Sequence, residues 1–288
     1  MSTRRLESAP SLTPLYAKAM LGSVLPGGGG DRLPDLELEL DGATVDGEHL
    51  ADYCRVCGFT LRNALPPTYP HILTFPLAME LMTDGSFPFP LMGMVHVGNR
   101  IEQRAAIPVS AAMTLRVRAE NLRPHPRGRQ LDLVSEVEID GSVHWSEHSV
   151  YLRRGGGSEK RSSSNGGGEP DPLAGAAVAA VWKVPGDIGR RYAEVSGDRN
   201  PIHLHGLAAR PFGFPGAIAH GMWMKARCLA AFDGHLPDAH VSEVEFRAPL
   251  RIPGTARFLT RPGDDGWAFG LEPPDGERRH LTGSASPA

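Results

Sequence analysis

The sequence predicts an α+β fold, a helix wrapped by an antiparallel sheet, present twice along the chain. Three observations point there. A stretch of Gly and Ser divides the 288 residues into two pieces, each of domain length. Each piece runs from a helical, loop-rich part into short strands. Two short strings also recur in the same order. Tyr53-Cys54-Arg55-Val56-Cys57-Gly58 matches Tyr192-Ala193-Glu194-Val195-Ser196-Gly197 at Tyr, Val and Gly, and the string from Ile101 to Ile107 matches that from Val244 to Leu250.

In the first half, Met113, Leu115 and Val117 alternate with Thr114, Arg116 and Arg118, the period of a half-buried strand, and Val143 to Leu152 forms another. Gly155 to Gly168 contains no apolar residue and reads as a flexible linker, which sets the expected boundaries: 1–154, a linker over 155–171, and 172–288. In the second half a short helical stretch surrounds Arg191 to Val195. Gly197 and Pro201 then bracket a tight, largely non-helical turn, because Gly permits positive φ and Pro fixes its own. Ile218, Met222, Leu229 and Phe232 share one face of a helix predicted over Ala217 to Phe232. Strands follow at Val241 to Phe246, Ala256 to Thr260 and Trp267 to Leu271, separated by turn pairs at Pro253-Gly254, Pro262-Gly263 and Asp265-Gly266.

Composition excludes several classes of function. Thirty basic against 33 acidic side chains leave a charge of −3, with no basic footprint for nucleic acid and no polybasic membrane anchor. No apolar run approaches the ~18 residues of a membrane span. The three cysteines, Cys54, Cys57 and Cys228, are too few for a disulfide framework, so a cytoplasmic protein is expected. Cys54-x-x-Cys57 lacks the second pair a zinc site needs and reads as packing. Gly27 to Gly30 lacks the Lys and following helix of a phosphate loop and reads as a turn.

The densest polar cluster is Ser196-Gly197-Asp198-Arg199-Asn200-Pro201-Ile202-His203. A carboxylate and an imidazole on one short turn can point into one cavity, although an Asp in such a turn is also a common cap. The longer string Tyr192-x-x-Val195-Ser196-Gly197-Asp198-x-Asn200-Pro201-Ile202-His203, with Gly213-Phe214-Pro215 and Ala217-Ile218-Ala219-His220-Gly221-Met222 after it, resembles the signature of the MaoC-like family of (R)-specific enoyl-thioester hydratases. The resemblance is strong from about Trp182 to Arg261 and weak in the first half, which is similar to the degenerate N-terminal repeat of double hot-dog members.

That resemblance implies a double hot-dog fold and a hydro-lyase. It would hydrate trans-2-enoyl thioesters, or dehydrate (R)-3-hydroxyacyl thioesters, carried on coenzyme A or acyl carrier protein in fatty-acid or polyketide metabolism. Asp198 and His203 would be the acid–base pair, Asn200 would orient them through its amide, and the backbone N–H of Gly221 would meet the oxyanion, with no metal and no cofactor. The first half carries Phe59 in place of Asp198 and, counting five residues on, Ala64 in place of His203. It would therefore be non-catalytic and bind the acyl chain, with Phe75-Pro76-Leu77 and Phe87 to Met92 as tunnel wall. The halves would form an internal pseudo-dimer, which leaves a homodimer of whole chains open. Competing readings are an acyl thioesterase, a non-catalytic acyl-thioester binder, and a metal site built from Asp198, His203, His205 and His220.

Overall fold

One helix of the first half is apolar on nearly every side, and a helix of that kind must lie inside rather than on a surface. The computed structural model describes residues 1–22, 30–155, 171–210 and 213–288. Nearly all of the expected linker, and Gly27 to Gly29 of the expected turn, lie outside the described residues. The first half runs β1 (Ser2–Leu6), α1 (Leu12–Gly22), β2 (Leu36–Ala43), α2 (Gly47–Cys57), α3 (Tyr69–Met82), β3 (Met94–Gln103), β4 (Met113–His125), β5 (Gly128–Ile139) and β6 (Ser142–Arg154). The second runs β7 (Ala177–Val184), α4 (Ile188–Ser196), α5 (Pro201–Leu204), α6 (Gly206–Ala209), α7 (Gly221–Ala230), β8 (His240–Phe246), β9 (Gly254–Gly263), β10 (Gly266–Glu272) and β11 (Leu281–Pro287).

The strands form one 11-stranded sheet in the order β1-β2-β4-β5-β6-β3-β8-β11-β10-β9-β7. Its left portion wraps α3, where Tyr69, Leu77 and Leu81 are fully buried, and its right portion wraps α7, buried from Met222 to Ala226. The halves meet where β3 pairs antiparallel with β8, Asn99 opposite Val244 and Ile101 opposite Ser242. That pairing satisfies two edges that would otherwise be open to other chains. The alternation read in β4 is seen directly: Met113, Leu115 and Val117 are buried on the helix side. Strand β1, parallel to β2, is an addition that the sequence reading did not foresee.

The recurring strings occupy equivalent places. Gly58 ends α2 and Gly197 ends α4, both left-handed (φ 87° and 73°), each donating its N–H to the carbonyl four residues back, Cys54 and Ala193. In the first half the N–H groups of Arg104 and Ala105 both donate to the His144 carbonyl; in the second, those of Arg247 and Ala248 both donate to the His280 carbonyl. Cys54, Cys57 and Cys228 are free and buried.

Two sequence expectations need correction. The predicted helix over Ala217 to Phe232 begins only at Gly221. Ile218 instead forms an isolated bridge with Arg251, and the Ala219 N–H donates to the Leu250 carbonyl. The same pattern recurs in the first half, where Ala64 bridges Pro108 and the Leu65 N–H donates to the Ile107 carbonyl. Ala64 is therefore the counterpart of Ile218, not of His203. Residues 59–62 do the work of residues 198–216, so the first half lacks the whole loop that carries the polar cluster rather than only its side chains.

Across the β3–β8 seam lies a buried polar chain. Lys225 on α7 donates to Asn99 Oδ1 (2.5 Å) and to the Ser242 carbonyl (3.0 Å). Asn99 Nδ2 donates to Glu147 (2.6 Å), and His71 Nδ1 lies 2.9 Å from the same carboxylate. Burial pushes the Lys225 ammonium down to about 7, opposed by the Glu147 charge. Burial alone would raise Glu147, but His71 and Asn99 together hold it below the usual carboxylate range. Charges this deep persist only when partnered, so the chain ties both central helices to the seam.

Candidate active site

Gly197 turns the backbone out of α4, and the next residues form an Asx-type turn: the N–H of Asn200 donates to Asp198 Oδ1 (3.1 Å). Asn200 Oδ1 then accepts from the Ile202 N–H (3.4 Å) as N-cap of α5, with Pro201 in the first helical position. The non-helical turn is thus confined to residues 197–200, and the single turn of α5 carries His203 inward to 9% exposure. The Asn200 side chain, expected to orient the pair through its amide, uses its oxygen to cap α5. Two contacts of Asn200 hold the loop: its backbone N–H donates to Asp198 Oδ1, and its side-chain oxygen starts the helix that carries His203.

His203 Nδ1 lies 2.8 Å from the Ile218 carbonyl, and His220 Nε2 lies 3.0 Å from the Asp198 carbonyl. A carbonyl only accepts, so each of these nitrogens carries the proton, leaving His203 Nε2 and His220 Nδ1 as lone pairs. The two rings stack with centroids 3.8 Å apart. One carboxylate oxygen of Asp198 and one ring nitrogen of each histidine lie within 4.8 Å of one another, the one such cluster among the described residues. His205 is exposed and stands apart from it. The Asp198 carboxylate is 31% exposed.

Burial and the neighbouring Asp198 act oppositely on His203, and burial prevails, so its pKa falls below the ordinary value. His220 is pushed down to about 3 by burial and by His203. For Asp198 burial would raise the pKa, but the two imidazoles, the Asn200 N–H and the Tyr16 hydroxyl outweigh it and hold the carboxyl below its usual range. Near neutral pH the site therefore presents an ionised carboxylate and neutral imidazoles.

His220 is also the N-cap of α7, so Gly221 directly follows the cluster as the first residue of that helix, where N–H groups have no intrahelical acceptor and the helix dipole is positive. A Cβ on Gly221 would lie 3.1 Å from the Phe246 ring. Phe246 packs edge-on against His96, which stacks on Tyr151 (4.7 Å). On the first-half side, Leu12 and Phe75 approach Gly197, and the Tyr16 hydroxyl donates to Asp198 Oδ1 (3.2 Å) while accepting from the Arg199 N–H (2.7 Å). Sequence reasoning missed Tyr16 because it lies far from the motif, on a helix outside the repeat; it grouped His220 with Asp198 and His203 only in the competing metal reading, and otherwise took the string around it as helix entry.

Two central helices, each wrapped by antiparallel strands of one shared sheet, with a carboxylate–imidazole cluster beside one helix start, define a double hot-dog protein. A family model described as the MaoC like domain matches residues 178–264. The 3-hydroxyacyl-thioester dehydratase X of Mycobacterium tuberculosis is 39% identical over 88% of this chain and 89% of its own. A crystal structure of HtdX from that organism superposes with a TM-score of 0.77 at 37% identity, covering 88% of this chain and 100% of that one. A MaoC-like dehydratase from Phytophthora capsici shares the fold at 16% identity (TM-score 0.69; 88% of this chain, 95% of that one). This chain belongs to the MaoC-like dehydratase family.

Proposed function

We propose that this chain is a hydro-lyase that dehydrates (R)-3-hydroxyacyl thioesters and, in reverse, hydrates trans-2-enoyl thioesters, the acyl group carried on coenzyme A or acyl carrier protein in fatty-acid or polyketide metabolism. The observation that carries this reading is the Asp198–His203 pair, a carboxylate oxygen and a ring nitrogen within 4.8 Å, a span that one water oxygen can bridge.

In hydration, water donates one hydrogen to the free carboxylate oxygen of Asp198 and the other to His203 Nε2. Its oxygen adds to C3, one acceptor takes its proton, and that proton passes to C2. Dehydration reverses the sequence: the base removes the C2 proton, and the same proton leaves with the C3 hydroxyl as water. Neither group is a donor at rest near neutral pH, so the acid is made by the base's own capture of the C2 proton. Moving one proton from one side of the substrate gives addition or removal on a single face. Negative charge gathering on the thioester oxygen is met by the Gly221 N–H at the positive end of α7.

Residues 172–288 carry this chemistry and residues 1–154 form a non-catalytic repeat. Phe75, which approaches Gly197, begins an apolar wall for the acyl chain that extends through Phe87 to Met92. The continuous β3–β8 pairing supports an internal pseudo-dimer. No metal and no cofactor enters the reaction. Three free, buried cysteines fit a cytoplasmic protein, and no helix among the described residues is long and apolar enough to cross a membrane.

The deciding assay follows loss of the enoyl chromophore for crotonyl-, octenoyl- and dodecenoyl-thioesters on both carriers, with free thiol measured in parallel. Hydration without thiol release supports the hydro-lyase; thiol release without hydration makes the chain a thioesterase; tight binding with neither makes it a carrier-binding protein.

A further inference from the structure

Helix α1 belongs to neither helix-and-sheet unit, yet it reaches the polar loop at two points. Leu12 lies over Gly197, so that a Cβ there would come 2.3 Å from Leu12 Cδ1. Tyr16, whose hydroxyl accepts from the Arg199 N–H at 2.7 Å, donates to Asp198 Oδ1 at 3.2 Å. The helix is anchored below by buried Leu15 and Ala19. We propose that Tyr16 is a positioning residue for the reaction, a protic clamp from the N-terminal segment that fixes the Asp198 carboxylate in the orientation and charge state that the chemistry needs. This inference rests on the functional reading above.

The hydrogen-bond pattern shows why a clamp is useful. Asp198 Oδ1 takes two donors, Tyr16 and the Asn200 N–H, whereas among the described residues Oδ2 has only the distant His220 Nε2 at 3.8 Å. One oxygen is thus tied down by two hydrogen bonds, and the carboxylate so held lies within 4.8 Å of the His203 ring. Without Tyr16, the carboxylate of a short loop residue can rotate about its χ2, which is broad for Asp, and lose its alignment with the imidazole. The backbone is held by the same hydroxyl: the Arg199 N–H has a fixed acceptor in the phenol oxygen, so the loop and the carboxylate move together.

The phenol is suited to this task. Burial and the Asp198 charge raise its pKa far above the ordinary tyrosine value, so it remains a donor across the working range of pH. The groups facing Asp198 are Tyr16 from α1, Tyr192 from α4, His203 from α5, His220 at the start of α7 and Tyr151 from β6. Among these, only Tyr16 aims a donor at the carboxylate itself, since the one N–H of neutral His220 is given to the Asp198 main-chain carbonyl. Removing the Tyr16 hydroxyl therefore removes the principal side-chain donor to the anion, and the Asp198 pKa must rise.

The experiment compares the full-length wild type, Tyr16→Phe, and a chain carrying 3-fluorotyrosine at position 16, in enoyl-thioester hydration as a function of pH. Tyr16→Phe should lower kcat at least tenfold with KM within threefold, and should move the acid limb of kcat/KM upward by half a unit or more. The fluorinated phenol, a stronger donor, should move that limb downward while retaining activity. A helix needed only for packing would lower the unfolding midpoint and leave both limbs in place. An active wild type whose acid limb is moved by neither substitution overturns the inference alone. If Tyr16→Phe fails to fold, the fluorotyrosine chain still decides the matter, an unshifted limb refuting the clamp. A wild type inactive toward every enoyl thioester brings down the functional reading and this inference with it.

Discussion

Replacing Asp198 by Asn tests the site most directly, because the new side chain has the same shape. Its carbonyl oxygen can keep both hydrogen bonds that Oδ1 accepts, from Tyr16 and from the Asn200 N–H. The change falls on the other atom, where a proton acceptor becomes an NH₂ whose hydrogens oppose those of the water held against His203. Loss of a positioned acid–base group costs roughly 10²- to 10⁴-fold, about 2.7–5.4 kcal/mol of transition-state stabilisation. Stability should change by less than about 1 kcal/mol, since the retained hydrogen bonds are worth about that each and the side chain is 31% exposed. The assay is kcat/KM for hydration of a short enoyl thioester alongside thermal unfolding followed by circular dichroism. His203→Gln should behave alike, and the double variant should be no worse than the weaker single, because two residues holding one water act as a unit. More than a tenth of wild-type kcat/KM in a natively folded Asp198→Asn chain would refute the assignment.

Three further outcomes are expected. His96 and His220 are both buried with pKa values near 3, against about 6.5 in the unfolded chain. As pH falls below 6.5 the unfolded state takes up protons that the folded state refuses, so stability should drop by up to about 1.4 kcal/mol per pH unit for each histidine. Urea midpoints measured at pH 7 and pH 5 test this, and equal midpoints would contradict it. Lys225→Met strands the Asn99–Glu147 part of the seam and should destabilise the fold by about 3–5 kcal/mol, read from the same denaturation curves; an unchanged curve would show the chain of contacts to be dispensable. Hydration product should be oxidised by an (R)-specific 3-hydroxyacyl dehydrogenase and not by an (S)-specific one, and activity should survive exhaustive chelation. Recovery only on adding zinc would assign the Asp198, His203 and His220 cluster to a metal.

Local chemistry was legible from the sequence alone. The glycine that ends α4 with positive φ, the turn between it and Pro201, and alternating residues in β4 act over a few residues, and the string recurring at Tyr53 and Tyr192 marks the duplication for the same reason. Asp198 and His203 sit on one such local element, so their meeting was readable. Helix α3 was not: buried on all sides and containing Pro76, it has no polar face to set a period. Nor was the start of α7, because the Ala217–His220 stretch is drawn into bridging by Arg251 and Leu250, partners supplied by the tertiary fold. The 182-residue separation of Tyr16 from Asp198, the stacking of His220 on His203 and the Lys225–Asn99–Glu147–His71 chain depend on contacts between distant segments. Spacing along the chain carries no information about such contacts; only folding α1 and the β3–β8 seam around the site decides them.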